Sequence, residues 1–548
     1  MNQNNLAQQL QYAFQLLQQG QREQAEQIGR TLLAQYPNQP DVLNFLGQIE
    51  QGRHQFEKAL RCYKKGLKSA PGHLQLLNNA GWMEKELENF MQAEKLFLKA
   101  LKVDSRYFYA RQNLAILYQE QRKFAKAKRL YLEVIRQQPN LADALANLST
   151  ILEKEHQLDE AKSYAGRAME VNPNHRVARL TLANIATRNN AFEEVIRLLT
   201  PFLQLPQLHP MDRAVMAGKC AYAYQELGEY EAAFKLYQNA NQLLYHHYEP
   251  GMRDPGMIYS PAAFRAIEAA IPDFNFSDVK NEIREPVFLI GFPRSGTTLL
   301  DQILFSHSQI TVLEEKPNLV DAFTEFPATE QGLNALKNAS EAKLRRLRSS
   351  YWANVKRETG ANKLSPIVVD KLPLNVFALL HINKIFPGAK IIVALRDPRD
   401  CVFSSYQQKF GMNAAMFQML KLHTAAVFYD QVMNIIMGID AAQAFSMHFI
   451  KYEEVIKNFR REVQRLVDFL DLEWEDSLLE YQATAKTRDV TTPSASQVIQ
   501  PLYASSIGKW KHYRSWIGDS FEPLEKWVEM WGYPASQISD SGVGHSRI

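Results

Sequence analysis

Small side chains recur along the first half of the chain at a fixed interval. Ala13, Gly47, Gly81, Ala115, Ser149, Ala183 and Ala217 follow one another in steps of 34 residues. Ala25, Ala59, Ala93, Ala127 and Ala161 form a second series at that step. Pro37, Pro71, Pro139 and Pro173 form a third, with Ser105 on the missing rung. Three series in one register predict stacked pairs of antiparallel helices. Small residues let the two helices of a pair approach closely, and the proline falls just past the second helix, which it cannot continue. The clear units cover about residues 6–210, and a degenerate pair follows around Ala214–Leu244, with Gly228-Glu229-Tyr230 as its turn.

Beyond Leu244 the pattern changes. Turn signals at His246–Gly251 and Asp254-Pro255-Gly256 lead into a predicted helix over Pro261–Ala270. Short apolar runs then appear at Val287–Ile290, Ile367–Val369 and Ala389–Leu395, which read as buried parallel strands. Leu299, Leu300, Ile303 and Leu304 recur at helical spacing after the first run, and Val402, Phe403 and Tyr406 begin a helix after the last. The stretch from Asn318 to Lys363 reads as a helical insertion whose Lys343, Arg345, Arg346 and Arg348 lie on a solvated face, the alternative being that they guide an acidic acceptor. The expected organisation is a repeat array over 6–244, a linker over 245–284, an α/β domain over 285–535 and a flexible tail over 536–548.

Composition narrows the class. A chain of 548 residues exceeds one ordinary core, and 46% hydrophobic against 22% charged residues predicts a folded protein. A net charge of +4 is too balanced for a nucleic-acid binder. Cys62, Cys220 and Cys401 show no metal-ligand spacing and make no disulfide framework, which fits a reducing compartment. The polar start and the absence of an apolar run near the roughly 20 residues of a membrane helix predict no membrane span and a cytoplasmic location.

The first half has the period of the tetratricopeptide repeat. Such arrays bind extended peptides or other proteins along a groove, so the expected partner is a protein or peptide. Asn79, Asn113 and Asn147 recur two residues before the small position. They resemble the asparagine ladder that grips peptide backbone in the repeats of the O-linked N-acetylglucosamine transferases. The alternative is ordinary helix-surface polarity.

Two segments of the second half suit anions. The first strand runs into Gly291-Phe292-Pro293-Arg294-Ser295-Gly296-Thr297-Thr298, and strand, glycine-bearing loop and helix together make a phosphate cradle. The glycine spacing is that of a nucleoside-triphosphatase loop, but Thr297 stands where that motif has lysine, and Arg294 lies inside the loop. The second segment is Arg396-Asp397-Pro398-Arg399-Asp400, with Ser404 eight residues after the arginine; the alternative is a helix N-terminus capped by Asp397 and Asp400, with Arg396 in a salt bridge. Both resemble sulfotransferase sites, the first for the 5′-phosphosulfate and the second for the 3′-phosphate of 3′-phosphoadenosine-5′-phosphosulfate (PAPS). ATP has no 3′-phosphate and would leave the second site empty.

A closer similarity is to the tyrosylprotein sulfotransferases. It rests on Pro293–Leu299, His307, Glu314-Glu315, Asp370-Lys371-Leu372-Pro373, Lys451-Tyr452-Glu453, and Ser494 followed by Gly508-Lys509-Trp510. The resemblance covers about residues 286–535. It implies PAPS as donor, adenosine 3′,5′-bisphosphate as product and no metal. It implies Glu315 as general base for a tyrosine hydroxyl, the alternative for Glu314-Glu315 being a carboxylate pair at a helix N-terminus, and Lys371 facing the transferred group. It also implies cofactor contacts from Arg294, Ser295, Gly296, Thr297, Thr298, Arg396, Ser404, Tyr452, Ser494 and Lys509. The fold implied is an α-superhelix of repeats followed by an α/β, P-loop-like domain with a parallel sheet. Repeat-fused relatives of this kind are bacterial. One departure concerns the acceptor: Glu314-Glu315-Lys316-Pro317 replaces the family's Glu-Glu-Thr-Arg, whose arginine reads acidic residues beside the target tyrosine. A glycan or small hydroxyl acceptor, a P-loop kinase or nucleoside triphosphatase, and a scaffold with an inactive domain are the alternatives.

Overall fold

A computed structural model describes residues 3–206, 208–252, 254, 256–277, 284–360, 364–482 and 506–535. Contacts divide the chain into two compact units, Met1–Pro201 and Phe202–Ile548. Ser494 and the tail 536–548 lie outside the described residues.

The first unit is an α-superhelix of paired helices that begins at Gln3–Gln18 and Arg22–Gln35. Packing explains the series of small residues. A Cβ on Gly47 would lie 2.2 Å from the Tyr63 ring on the second helix of its pair. Ala25, Ala59, Ala93, Ala127 and Ala161 are fully buried. Each proline stands two residues beyond a second helix, as Pro71 does after Phe56–Ser69. His73 and His175 cap first helices, with Nδ1 accepting from the amides of Leu76 and Ala178. Their Nε2 atoms lie 3.1 and 2.9 Å from Asp41 and Asp143 of the preceding pair.

The second unit opens with the helices Pro210–Glu226 and Tyr230–Tyr248, so the degenerate last pair packs with the α/β fold. The helix Pro261–Ala270 follows, capped by Ser260. Five strands form one parallel sheet: β1 (Val287–Gly291), β2 (Ile310–Glu314), β3 (Ile367–Lys371), β4 (Lys390–Leu395) and β5 (Ser446–Lys451), in the order β2-β3-β1-β4-β5. β1 is buried along its whole length, with β3 on one side and β4 on the other. One face of the sheet packs under Phe264, Phe288, Phe292, Phe377 and Phe428, the other under Leu299, Ile303, Ile392, Val463 and Leu466. All strands run the same way, so their carboxyl ends share one edge, where ligands of such sheets bind. The insertion holds the helices Val320–Glu325, Glu330–Lys337 and Glu341–Thr359. Its basic residues are largely engaged: Lys343 and Arg346 pair with Glu325, and Arg348 bonds the Ile385 carbonyl and Glu341.

Candidate active site

The edge begins at β1. Gly291 has φ +155°, and a Cβ there would sit 2.7 Å from the Ala394 carbonyl oxygen of β4, so the two strands meet too closely for a side chain. The loop turns through Arg294 at φ +70° and Gly296 at φ +101°, then enters the buried helix Thr297–Phe305 through Thr297 and Thr298. A Cβ on Gly296 would lie 2.9 Å from the Tyr452 ring. The first turn of that helix offers backbone N–H groups without intrahelical partners.

Because β4 is β1's neighbour, its loop meets the first. Arg294 Nε donates to Ser404 Oγ at 3.0 Å. Arg396 Nη1 donates to the Arg294 carbonyl at 3.1 Å, and its Nη2 to the Ser506 carbonyl at 2.6 Å. The Arg396 guanidinium lies 5.1 Å from the centre of the Tyr452 ring, whose hydroxyl shares a 3.0 Å hydrogen bond with Ser506 Oγ. Asp397 caps the helix Pro398–Gln407 by accepting from the Arg399 amide, and it pairs with the Arg399 guanidinium at 2.7 Å. Asp400 accepts from the amides of Gly508 at 2.5 Å and Trp510 at 3.1 Å, while burial pushes its carboxyl above the usual range.

Helices of the degenerate pair support this second loop. Asn241 Nδ2 donates to the Tyr406 carbonyl at 2.8 Å, and Gln225 Oε1 accepts from Gln407 Nε2 at 2.6 Å and from the Tyr513 hydroxyl at 3.0 Å. The Lys509 ammonium is directed to this pair, 3.7 Å from Glu226 Oε1.

Across β1, strand β3 ends in Asp370 and Lys371. Lys371 Nζ donates to Glu315 Oε1 at 2.9 Å and lies 3.5 Å from Asp301 Oδ2. Lys371 and Asp301 are fully buried, while the Glu315 side chain is 37% exposed. Glu315 follows β2 with φ +49°, a costly conformation for a residue with a Cβ, and its amide donates to the Lys371 carbonyl at 2.8 Å. On the opposite face of β3, Asp370 accepts from Asn318 at 3.1 Å, Tyr351 at 3.0 Å and Asn375 at 3.4 Å. Burial raises its carboxyl to about 6.

Thus Arg294, Ser295, Gly296, Arg396, Ser404 and Tyr452 surround the two loops, and Glu315 and Lys371 meet at the neighbouring strand ends. His307 ties down another loop: its Nε2 donates to the Glu473 carbonyl at 2.9 Å. In the first unit, Asn79 Nδ2 donates to Asn44 Oδ1, and Asn113 Nδ2 to Asn78 Oδ1, both at 2.9 Å. Asn147 bonds the Tyr131 hydroxyl. These amides therefore link repeat to repeat. Sequence reasoning assigned no role to Asp301, the Asp370 network or Gln225, and offered Asp400 only as a helix cap, whereas it holds the Gly508 and Trp510 amides. Asp301 carried one signal, a carboxylate one turn into the helix that leaves the phosphate loop. Among the described residues no cluster of His, Cys, Asp and Glu has the geometry of a metal site, and no helix is long and apolar enough to cross a membrane.

This arrangement defines a class. Residues 286–476 match the sulfotransferase family, and residues 109–136 and 142–175 match tetratricopeptide repeats, so the chain carries a sulfotransferase-family domain behind a tetratricopeptide array. An uncharacterised protein of Aquifex aeolicus (strain VF5) is 28% identical over 352 residues, or 61% of this chain and 44% of that protein. Protein-tyrosine sulfotransferase A of Caenorhabditis elegans is 24% identical over 239 residues, or 41% of this chain and 60% of that protein. The chain spans about half the length of these two relatives. Among solved structures, the type IV pilus biogenesis factor PilW is 21% identical, with 38% of this chain and 97% of that one covered and a TM-score of 0.35.

Proposed function

We propose that this chain is a PAPS-dependent sulfotransferase whose acceptor is a tyrosine hydroxyl of a protein or peptide recruited by the repeats. The observation that carries this reading is the pair of anion-binding loops at adjacent strand ends, linked through Arg294 and Ser404. The residues fit such a donor. Among the described residues Ser295 Oγ and Arg396 Nε are buried without a hydrogen-bond partner, which is costly unless a ligand supplies one. Gly291 and Gly296 let the loop lie directly against β4 and the Tyr452 ring. Arg294, Ser295, Thr297 and Thr298 would hold the phosphosulfate end, and Arg396 and Ser404 the 3′-phosphate, by charge-assisted hydrogen bonds. Thr297 in place of lysine disfavours a nucleoside triphosphatase.

When bound, the donor supplies the sulfuryl group and takes up negative charge on its leaving phosphate. Glu315 accepts the proton of the acceptor hydroxyl at its partly exposed carboxylate, which the 2.9 Å contact with Lys371 orients. Lys371 and the amino end of the helix Thr297–Phe305 set positive charge where negative charge develops. The tyrosine acceptor is supported by the relatives named protein-tyrosine sulfotransferase, and recruitment by the repeat array.

Calorimetry tests the reading. Adenosine 3′,5′-bisphosphate should bind at least about tenfold more tightly than AMP, since the second site adds charge-assisted hydrogen bonds. Equal affinity would overturn it. Labelled PAPS with cell lysate, followed by mass spectrometry, then separates tyrosine from glycan or small-molecule acceptors.

A further inference from the structure

We infer that Asp301 is a positioning residue for this reaction, the permanent counter-charge that stays beside the Lys371 ammonium while Glu315 changes charge. The inference rests on the proposed sulfuryl transfer and deepens it.

Three carboxylates stand near Lys371. Glu315 reaches Nζ from the end of β2 at 2.9 Å, and Asp301 reaches it from the helix Thr297–Phe305 at 3.5 Å. The third, Asp370, adjoins Lys371 in β3, but successive side chains of a strand point to opposite faces. Asp370 is already held by Asn318, Tyr351 and Asn375. Lys371 itself is fully buried, and a buried ammonium is costly unless a counter-charge is paired with it.

Turnover creates that situation. The acceptor O–H bond breaks and its proton passes to Glu315. The acceptor oxygen bonds to sulfur as the bond from sulfur to the bridging oxygen breaks, and that electron pair leaves with the phosphate. Glu315 is now neutral, and Lys371 has lost its nearer partner at the moment when its charge is needed. Asp301 is fully buried on a different element and takes no part in the proton transfer. It therefore keeps a negative charge beside the Lys371 ammonium until Glu315 passes its proton to water. Without Asp301, protonation of Glu315 would leave the buried ammonium with no adjacent counter-charge, and the transition state would carry that cost.

The test compares the full-length wild type with Asp301→Asn. It follows release of adenosine 3′,5′-bisphosphate from PAPS, with a pool of tyrosine peptides as acceptor, over a range of peptide concentrations. In the variant kcat should fall by about tenfold or more while KM for the peptides stays within about threefold, because the counter-charge is needed only as charge moves in the reaction. Affinity for the bisphosphate should stay within about threefold of wild type, since no phosphate contact is removed. A kcat that matches wild type, or a loss that falls on KM or on bisphosphate affinity instead of kcat, overturns the inference. Should Asp301→Asn give no cooperative melting transition, the double variant Asp301→Asn with Lys371→Gln should regain one, because no buried charge is then unpaired. A double variant as unfolded as the single also overturns it. A wild type that binds the bisphosphate no better than AMP sinks the parent reading instead. A turning-over wild type with an unaffected Asp301→Asn variant sinks this inference alone.

Discussion

At Glu315 the backbone adopts a left-handed conformation that costs a side-chain-bearing residue about 1–2 kcal/mol, and the amide bond to the Lys371 carbonyl holds it there. That geometry sets the carboxylate beside Lys371 Nζ. If Glu315 is the base, Glu315→Gln keeps the shape and removes the proton acceptor. Turnover should fall by about a hundredfold or more, with bisphosphate affinity unchanged by calorimetry. Turnover near the wild-type rate would remove Glu315 from this role. Resemblance pointed to Glu315 and Lys371 separately, each for its own role, and the fold brings them together at 2.9 Å. Asp301 and Asp370 were not legible in the same way. A carboxylate in an apolar helix or at a strand end reads as a surface group until the fold shows that it is buried and which cation or donor it meets. Lys509 shows the converse, since motif spacing does not reveal that Glu226 stands near its ammonium.

The strand–loop–helix unit is the most legible element, because its rules are local. An apolar run, two glycines and a helical repeat of leucines specify β1, the loop and the helix Thr297–Phe305. At Gly296 a Cβ would meet the Tyr452 ring at 2.9 Å with φ at +101°. Gly296→Ala should therefore cost about 1–3 kcal/mol in the loop and weaken bisphosphate binding about tenfold or more. Unchanged affinity would show that the loop accommodates the methyl group without loss of its anion site. Strands β2 and β5 escaped detection for a related reason. They are the edge strands, only partly buried, so Ile310–Glu314 and Ser446–Lys451 lack the unbroken apolar run of β1 and β4. The repeats hid a further series. Gly20, His54, Glu88, Arg122, His156 and Asn190 all turn at φ between +55° and +80°, again in steps of 34 residues. Only the first is a glycine, so no residue type marks the turn, and only the backbone reveals it.

For the molecule as a whole, burial of polar groups in the second unit couples stability to pH. His381 is fully buried; its Nε2 donates to the Phe326 carbonyl at 2.8 Å, and burial lowers its pKa from 6.5 to about 4. The neutral ring is the folded form, so this contribution is complete above pH 6.5 and is lost as pH falls toward 4. Asp370 acts with the opposite sign. Its carboxyl is raised from 3.8 to about 6, so its contribution is complete below pH 3.8 and is lost as pH rises through 6. Each shift corresponds to about 3 kcal/mol at full extent, and between pH 4 and 6 the two nearly offset one another. Substituting one of them should expose the other. In His381→Gln the side-chain amide keeps a donor for Phe326 but cannot take up a proton. Urea unfolding at pH 7 and pH 4.5 measures the difference. Between those pH values the wild type should lose about 2–3 kcal/mol more stability than the variant, whatever the substitution costs at pH 7. Other carboxylates titrate in both proteins and cancel in the comparison. Parallel changes in the two proteins would mean that His381 accepts its proton inside the fold without penalty, and that this buried ring is not what limits the molecule in acid.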